Sequence, residues 1–371
     1  MSKMRPNRIT DLSKVLHGRI KQDGPISVAE FMATALSHPE YGYYNTRDPF
    51  GRSGDFITAP EVSQMFGELI GLWAAAVWQL MGCPQNVHII ELGPGRGTLM
   101  ADALRALKQS VPEFSKTLCV DLVDISPVLK QCQSETLQHW KQDVDICWHD
   151  DVNAISDGPC IIIANEFFDA LPVHQYENTQ EGWCERFIGL NAQEDFCFTL
   201  GDILMNDTII PENFRSASIG QIYESNLESM HIVERLCGRL TSQNGACLIV
   251  DYGHTKQGLG DTVQAVKNQK YHNLFKLIGE ADITAHVDFE SLCMTATDHG
   301  CRVFGPTTQK VLLEQLGIGI RAERLKVSSN PQQAIAVQQA YERLIGEDEM
   351  GVLFKAMAFT NSSMMSMPGF E

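Results

Sequence analysis

The sequence lacks long apolar runs and is short of basic residues. No apolar stretch approaches the ~20 residues that a helix needs to cross the hydrocarbon core of a bilayer, which argues against a membrane-spanning segment. Lys and Arg number 29 against 46 Asp and Glu, and the 371 residues carry a formal charge of −17. Nucleic-acid binding relies on Lys and Arg contacts with phosphate, so this balance argues against a nucleic-acid partner.

The sequence also lacks paired cysteines and the Cys/His spacings of zinc sites. Its 11 cysteines are scattered between Cys83 and Cys301 without a C-x-x-C pair. We therefore expect free thiols in a reducing compartment and no metal. The first residues, MSKMRPNRITDL, have no apolar segment typical of a signal peptide and are short for a mitochondrial presequence. A cytoplasmic location is the expectation, and the mitochondrial matrix is the less favoured alternative.

A glycine-rich turn carries the strongest ligand-binding pattern of the chain. The apolar segment Val87–Leu92 predicts a buried strand, and the apolar spacing that begins at Thr98 predicts a helix. The glycines between them are Gly93, Gly95 and Gly97. Glycine permits a sharp turn and a close approach of a ligand, and the following helix directs its free N–H groups towards that ligand. A glycine-rich turn without a ligand is the alternative.

The type of ligand follows from the spacing of this turn. A dinucleotide-binding turn, G-x-G-x-x-G, would need a glycine where this chain has Thr98. The pattern E-x-G-x-G-x-G, which begins at Glu91, instead resembles the first motif of Rossmann-like methyltransferases that bind S-adenosyl-L-methionine (SAM). This pattern predicts SAM as the cofactor.

Polar residues follow the ends of several predicted strands. These strands are Leu118–Ile125, Ile146–Val152, Cys160–Ala164 and Ala246–Tyr252. The polar residues at the strand ends are Glu91, Asp124, Asp151, Asn165, Glu166 and Asp251. Open α/β sheets bind ligands beyond the carboxyl ends of their strands, so we expect these side chains to surround one site. Asp124 is expected to accept hydrogen bonds from ribose hydroxyls, and Asp151 is preferred to Asp150 for contact with adenine.

The segment Asn165-Glu166-Phe167-Phe168-Asp169 suits a cationic acceptor. A guanidinium stays protonated in water, so carboxylates that hold its nitrogen atoms are the expected apparatus for its methylation. Glu166 and Asp169 are the candidates; the alternative for both is a helix N-terminus, where acidic residues are stabilising.

Two further segments are candidates for the same site. His254 is a candidate base, a positioning donor or an ordinary loop histidine. The segment that holds Gly54 and Asp55 is expected to fold over the ligand.

Six segments in the same order resemble the MidA family of SAM-dependent methyltransferases. They are PISVAEFMATALSHPEYGYY, GDFITAPEVSQMFGELIGLW, ELGPGRGTLM, ANEFFDALPVHQY, LIVDYGH and ADITAHVDFESL, and they extend from Pro25 to Leu292. The resemblance implies that SAM lies against the three glycines with Asp124 on its ribose, and that Gly54-Asp55-Phe56 and Asn165-Glu166-Phe167 border the same pocket. It also implies a protein partner with a target arginine, because mitochondrial members dimethylate an arginine of a respiratory complex I subunit. The chain looks like a bacterial member.

The expected fold is α/β, with a Rossmann-like class I methyltransferase sheet, a helical N-terminal extension and β/helical insertions. Residues 1–85 are the predicted extension and residues 86–371 the methyltransferase domain, with insertions at about 176–222 and 253–288. Within these insertions we expect a β-hairpin from Trp183 to about Ile210, and a loop with short helical turns over Gly253–Asp282. Two alternative functions are open: a SAM-dependent methyltransferase of another acceptor (a small molecule or RNA), and a non-catalytic SAM-binding assembly chaperone. The oligomeric state is left open.

Overall fold

The structure, a computed structural model, describes residues 10–47, 57–205, 209–361 and 363–371. The helices of these ranges are α1 (Asp11–Asp23), α2 (Val28–Ser37), α3 (Tyr43–Thr46), α4 (Ala59–Val62), α5 (Gln64–Leu80), α6 (Thr98–Ser110), α7 (Pro112–Ser115), α8 (Pro127–Thr136), α9 (Leu227–Gln243), α10 (Phe289–Asp298), α11 (Gln309–Gln315), α12 (Ile318–Val327), α13 (Pro331–Ile345) and α14 (Met350–Leu353). Within the described ranges, none of the helices is both long enough and apolar enough to cross a membrane.

A central sheet of mostly parallel strands forms the middle of the molecule. In spatial order its main strands are β4 (Asp145–His149), β3 (Leu118–Val123), β2 (Val87–Leu92), β5 (Cys160–Asn165), β10 (Gly245–His254), β16 (Phe354–Thr360) and β15 (Arg302–Thr308), and β14 (Val287–Asp288) pairs with the end of β10. β16 runs antiparallel to both of its neighbours. β5 is buried along its whole length, as expected for a central strand covered on both faces. The predicted α/β class is confirmed.

The order of the strands reverses between β2 and β5. The chain leaves β2 towards β3 and β4 at one edge, then returns to form β5 on the other side of β2. Such a reversal opens a crevice at the carboxyl ends of the two central strands. The glycine turn follows β2 and Glu166 follows β5, so the topology brings both to this crevice. β4 ends at His149, three residues before the predicted end, because Asp151 caps a 3-10 turn at Val152–Ala154.

Helices cover both faces of the sheet. α5 and α6 pack on one face with Trp73, Leu104 and the inward side chains of β2, whereas α9 and α10 pack on the other. Gly71 allows α5 to approach α6 closely, since a Cβ atom there would lie 2.7 Å from Cα of Ala103. This contact fixes the position of α6, whose first turn adjoins the glycine turn.

Two smaller sheets lie outside the central one. The antiparallel sheet contains β1 (Ile26–Ser27), β6 (His174–Asn178), β7 (Trp183–Leu190), β8 (Phe196–Ile203) and β9 (Ile222–Ser225), and the predicted hairpin corresponds to β7 and β8. The three-stranded sheet contains β11 (Gln264–Lys267), β12 (Lys270–His272) and β13 (Asp282–Thr284). The prediction of a loop with helical turns over Gly253–Asp282 was therefore wrong, because pairing between distant residues forms short strands that the local sequence does not signal.

The helices that precede residue 86 pack in two different places. α5 belongs to the core of the central sheet, whereas α1 and α2 pack against Ile188 of β7 and Ile283 of β13. Ser27 begins α2 because its side chain accepts a hydrogen bond from the N–H of Glu30. The division of the chain into an extension over 1–85 and a domain over 86–371 remains a proposal.

Candidate active site

A cavity of about 380 Å³ lies at the carboxyl ends of β2, β3, β5 and β10. This volume falls in the range of roughly 300–1,000 Å³ that is usual for small-molecule pockets. The predicted site residues that line it are Gly93, Gly95, Asp124, Asp151, Glu166 and Asp169. A smaller cavity of about 40 Å³ adjoins the glycine turn, and it is lined by Glu91, Asn165 and several of the same residues. The structure thus brings most of the predicted residues together.

The glycine turn has a backbone that other residues rarely adopt. The φ angles of Gly93, Gly95 and Gly97 are +62°, +53° and +79°. At Gly93 the space is also restricted, because a Cβ atom would lie 2.9 Å from Cδ2 of Phe167. A side chain here would strain the backbone and displace the wall of the cavity. The pattern of glycines therefore reflects the shape of this turn.

Glu91 and Asn165 present unpaired acceptors beside the turn. Glu91 is only 3% exposed, and burial raises the pKa of its carboxyl to about 8. Within the described residues, Oε2 of Glu91 and Oδ1 of Asn165 have no hydrogen-bond partner. A buried acceptor without a partner is costly, so the site is suited to a ligand that brings a donor, above all a cationic one. The ammonium group of the methionine part of SAM fits this requirement.

Asp124 belongs to a hydrogen-bond network that the sequence did not reveal. Its carboxylate accepts hydrogen bonds from the N–H of Ser126 and from Nε2 of Gln133, each at 2.8 Å. Burial raises the pKa of Asp124 above its ordinary value. Gln133 also donates to the carbonyl of Gly95 at 2.9 Å and accepts from the indole N–H of Trp148 at 3.0 Å. The sequence does contain one indication of this network. Gln133 follows Leu129 by one helical turn, which places it on the buried face of α8.

Replacement of Gln133 by methionine is expected to weaken binding of S-adenosylhomocysteine (SAH) by roughly 10- to 100-fold. The carboxylate of Asp124 and the carbonyl of Gly95 lose the donor that positions them, and the expected loss of ~1–3 kcal/mol of binding free energy corresponds to about that range. Isothermal titration of the variant with SAH measures this change. Gln131→Met on the exposed side of α8 is the matched control, because Gln131 bonds only with Glu135 outside the cavity. An unchanged dissociation constant for Gln133→Met would show that this network does not support the cofactor pocket.

Asp150 and Asp151 both border the cavity and both have basic neighbours. Asp150 pairs with Lys130, while Oδ2 of Asp151 lies 3.3 Å from Nη1 of Arg235. The other carboxylate oxygen of Asp151 accepts a hydrogen bond from the N–H of Asn153 at 2.8 Å. These contacts hold Asp151 at the edge of the cavity, and its contact with adenine remains a prediction.

The segment after β5 is a tight turn built around Asp251. Oδ2 of Asp251 accepts hydrogen bonds from the N–H groups of Phe167, Phe168 and Asp169 at 3.1, 2.9 and 3.2 Å. Glu166 has a φ angle of +51°, a strained value for a residue with a side chain. The segment contains no helix, so the alternative of a helix N-terminus for Glu166 and Asp169 was wrong. Asp251 is thus the residue that shapes this turn.

Glu166 and Asp169 carry carboxyl groups that burial makes hard to ionise. Glu166 accepts hydrogen bonds from the N–H of Ala59 at 2.9 Å and from Nδ2 of Asn165 at 3.2 Å. Burial raises the pKa of Glu166 to about 8 and that of Asp169 to about 6, although a hydrogen bond with Tyr252 opposes the rise at Asp169. Among the described residues, no Lys or Arg forms an ion pair with either group. A half-buried and a buried carboxyl group beside a cavity are suited to a cationic ligand.

His254 lies in another part of the molecule's surface. It borders a separate cavity of about 620 Å³, together with His286 and Asp288. Its Nδ1 is 3.8 Å from Oδ1 of Asp288, which also caps α10 by accepting from the N–H groups of Glu290 and Ser291. The structure therefore does not bring His254 to the glycine turn. Gly54 and Asp55 lie outside the described residues.

The described ranges contain no group of His, Cys, Asp and Glu side chains arranged to hold a metal ion. The site consists of a cavity beside the glycine turn, with unpaired acceptor atoms at one end and carboxyl groups along its wall. Such a site can bind a ligand with cationic groups and orient it by hydrogen bonds.

Comparison with known proteins assigns the fold and the family. Residues 69–307 match the model of a family described as "Putative S-adenosyl-L-methionine-dependent methyltransferase". A solved structure from Burkholderia thailandensis, bound to S-adenosyl-homocysteine, is 26% identical with a TM-score of 0.87, over 97% of this chain and 94% of that one.

Curated relatives cover nearly the whole chain. The zebrafish (Danio rerio) protein arginine methyltransferase NDUFAF7, mitochondrial, is 34% identical over 95% of this chain and 87% of its own length. The homologue from Caenorhabditis elegans is 35% identical with the same two coverages, and the human (Homo sapiens) protein is 34% identical over 95% of this chain and 84% of its own. With these similarities and the glycine-lined cavity, the chain belongs to the MidA/NDUFAF7 family of SAM-dependent methyltransferases.

Proposed function

We propose that this methyltransferase transfers the methyl group of SAM to an arginine side chain of a partner protein. The observation that carries the proposal is the pair of carboxyl groups, half-buried Glu166 and buried Asp169, in the wall of the cavity that begins at the glycine turn. The charge of Arg343 acts on Glu166, but among the described residues no ion pair occupies either group, and the planar fork of a guanidinium matches two carboxylates. The names of the curated relatives support the same acceptor.

The cofactor end of the proposed site has three parts. Glu91 and Asn165 would hold the ammonium group, the three glycines would pass close to the methionine part, and Asp124 would accept from the ribose hydroxyls. When bound, SAM supplies an electrophilic methyl group on a sulfonium. The residues of the chain mainly fix its orientation, since in-line displacement depends on alignment of the reacting atoms. Asp151, Gly54 and Asp55 remain predicted contacts of the cofactor.

The acceptor end has to orient one nitrogen and remove one proton. As the N–CH₃ bond forms and the S–CH₃ bond breaks, the attacking nitrogen gives up a proton to a base. Ionised Glu166 and Asp169 would hold the other N–H groups, and one of them would take this proton. A buried carboxyl with a raised pKa is a stronger base than an exposed one, so the burial of these two groups suits the task.

The acceptor is tested directly by labelling. A lysate treated with the purified protein and SAM labelled in its methyl group should yield one or a few labelled proteins, and hydrolysis of these should release methylarginine. Label in methylated lysine, in RNA or in a small molecule would contradict the proposal. Gly95→Asp serves as the inactive control, because an anionic side chain at a positive φ angle would block the turn.

The rate should depend on pH in a predictable direction. Glu166 and Asp169 have pKa values raised to about 8 and about 6, and only their ionised forms attract a guanidinium. At saturating SAM, kcat/KM for the labelled acceptor should therefore rise with pH from about 6 and level off only above about pH 9, where both groups are ionised. A pH profile of initial rates measures this, and a flat profile would exclude both carboxyls as ionising groups of the SAM-bound enzyme.

The family resemblance and the state of the cysteines bear on the partner and the location of this protein. We take a subunit of respiratory complex I as the first candidate acceptor, because the resemblance to the MidA family implies it. None of the 11 cysteines, all of which lie in the described ranges, forms a disulfide bond, in keeping with a reducing compartment such as the cytoplasm of a bacterium. The curated relatives are named as mitochondrial proteins, so the acceptor of this chain has to be found by labelling rather than by name.

A further inference from the structure

Three hydrogen bonds, connected through Ser126 and Tyr44, link the proposed ribose carboxylate to a second carboxylate that lines the same cavity. Oδ1 of Asp124 accepts from the N–H of Ser126 at 2.8 Å, and the hydroxyl of Ser126 donates to the carbonyl of Tyr44 at 2.6 Å. The hydroxyl of Tyr44 in turn donates to Oδ1 of Asp282 at 2.9 Å. The link therefore runs from β3 through the start of α8 and through α3 to β13.

Each member of the link is held in place by its surroundings. Ser126 is fully buried and also caps α8, since its hydroxyl accepts from the N–H of Leu129. Asp282 is 4% exposed, and its Oδ1 also accepts from the N–H of Ile283 at 3.1 Å. Hydrogen bonds between buried and half-buried groups are shielded from water, so we expect a shift at one end of the link to affect the other end.

The far end of the link faces the proposed acceptor. Tyr44 and Asp282 line the same cavity as Asp169 and Glu166. Burial, then the charges of Asp282 and Asp169, raise the pKa of Tyr44 well above its ordinary value, which keeps its hydroxyl a donor. Asp282 is thus a third carboxylate at this cavity, and Tyr44 is one of the groups that hold its Oδ1.

We propose that Tyr44 is a positioning residue that orders Asp282 for the acceptor when the cofactor occupies Asp124. Ribose hydroxyls bound to Asp124 fix Ser126, Ser126 fixes the backbone of α3, and Tyr44 then holds Asp282. This inference rests on the proposed arginine methylation for the identity of the acceptor, but the link itself depends only on cofactor binding. The cofactor and the acceptor would therefore bind cooperatively, each raising the affinity for the other, since coupling between two sites is reciprocal.

Amide hydrogen exchange with and without SAH tests the link without any acceptor. In the wild type, SAH should slow exchange at 93–97, at Tyr43–Thr46 and at Asp282–Thr284. Tyr44→Phe should keep the first two effects and lose the third. Ser126→Ala should keep only the effect at 93–97, which also reports that this variant is folded and binds SAH despite the loss of a helix cap.

Matched controls remove the same groups outside the link. Ser134 of α8 accepts a hydrogen bond from Lys141 at the surface, so Ser134→Ala removes a hydroxyl outside the link. Tyr41 lines a different cavity, and Tyr41→Phe removes its hydroxyl. Both should retain all three effects. Slowed exchange at Asp282–Thr284 in Tyr44→Phe, or at Tyr43–Thr46 in Ser126→Ala, would overturn the link, whereas absence of any effect at 93–97 in the wild type would overturn the cofactor site instead.

Discussion

Glu166→Gln should lower kcat by roughly 100- to 10,000-fold, the usual contribution of a positioned acid or base, while SAH binding changes little. Glutamine preserves the shape of the side chain and can still accept from the N–H of Ala59. It cannot carry a negative charge, so the guanidinium loses one of its two proposed carboxylate partners. Initial rates with labelled SAM and a calorimetric titration with SAH measure the two effects separately.

The control for Glu166→Gln is the same substitution on another sheet. Glu185 is a half-buried residue of β7 that pairs with His174, so Glu185→Gln should leave the rate unchanged. Wild-type activity of Glu166→Gln would remove Glu166 from the acceptor site. If methyl transfer were lost but cellular function persisted, a non-catalytic assembly chaperone would become the better account of this chain.

Local patterns in the sequence were sufficient to predict the glycine turn and the strand ends that border the cavity. The strand Val87–Leu92, the three glycines and the helix that begins at Thr98 are adjacent in the chain, and each type of residue has a direct structural consequence. The ends of β3 and β5 were predictable in the same way, because apolar runs stop where the sheet stops. The side chains that follow these strands then meet at one edge of the sheet.

The acceptor end depends on contacts between distant parts of the chain. Tyr44 and Asp282 are 238 residues apart, and Asp251 shapes the turn after β5 through hydrogen bonds that span more than 80 residues. No periodicity or spacing signals such pairs. His254 is a second example, because its place at the end of a predicted strand made it a candidate base, whereas pairing of β14 with the end of β10 places it at another cavity.

Glu91→Gln should weaken SAM binding by about 10- to 100-fold, because a hydrogen bond to a charged group contributes ~1.5–3 kcal/mol. Glutamine retains an acceptor oxygen but loses the charge that the ammonium group needs. Titration with SAM at a fixed pH measures the change, and the exposed Glu113→Gln is the control. An unchanged affinity would mean that the ammonium group lies elsewhere.

The same variant should make the protein without ligand more stable at high pH. Burial raises the pKa of Glu91 to about 8 from an ordinary value of 4.5, so between these values the folded protein binds a proton that the unfolded chain has released. The free energy of unfolding of the wild type therefore falls as pH rises through this interval, by at most ~1.4 kcal/mol per pH unit from this group.

Glutamine at position 91 does not titrate, so the stability of Glu91→Gln lacks this dependence on pH. The Tm of Glu91→Gln should match that of the wild type near pH 5 and exceed it at about pH 9. Saturating SAM should close or reverse this difference in Tm, because only the wild type forms an ion pair with the ammonium group. Equal Tm values at both pH values would mean that the pKa of Glu91 is the same in the folded and the unfolded protein. The folded protein would then already contain a group that stabilises the ionised carboxylate.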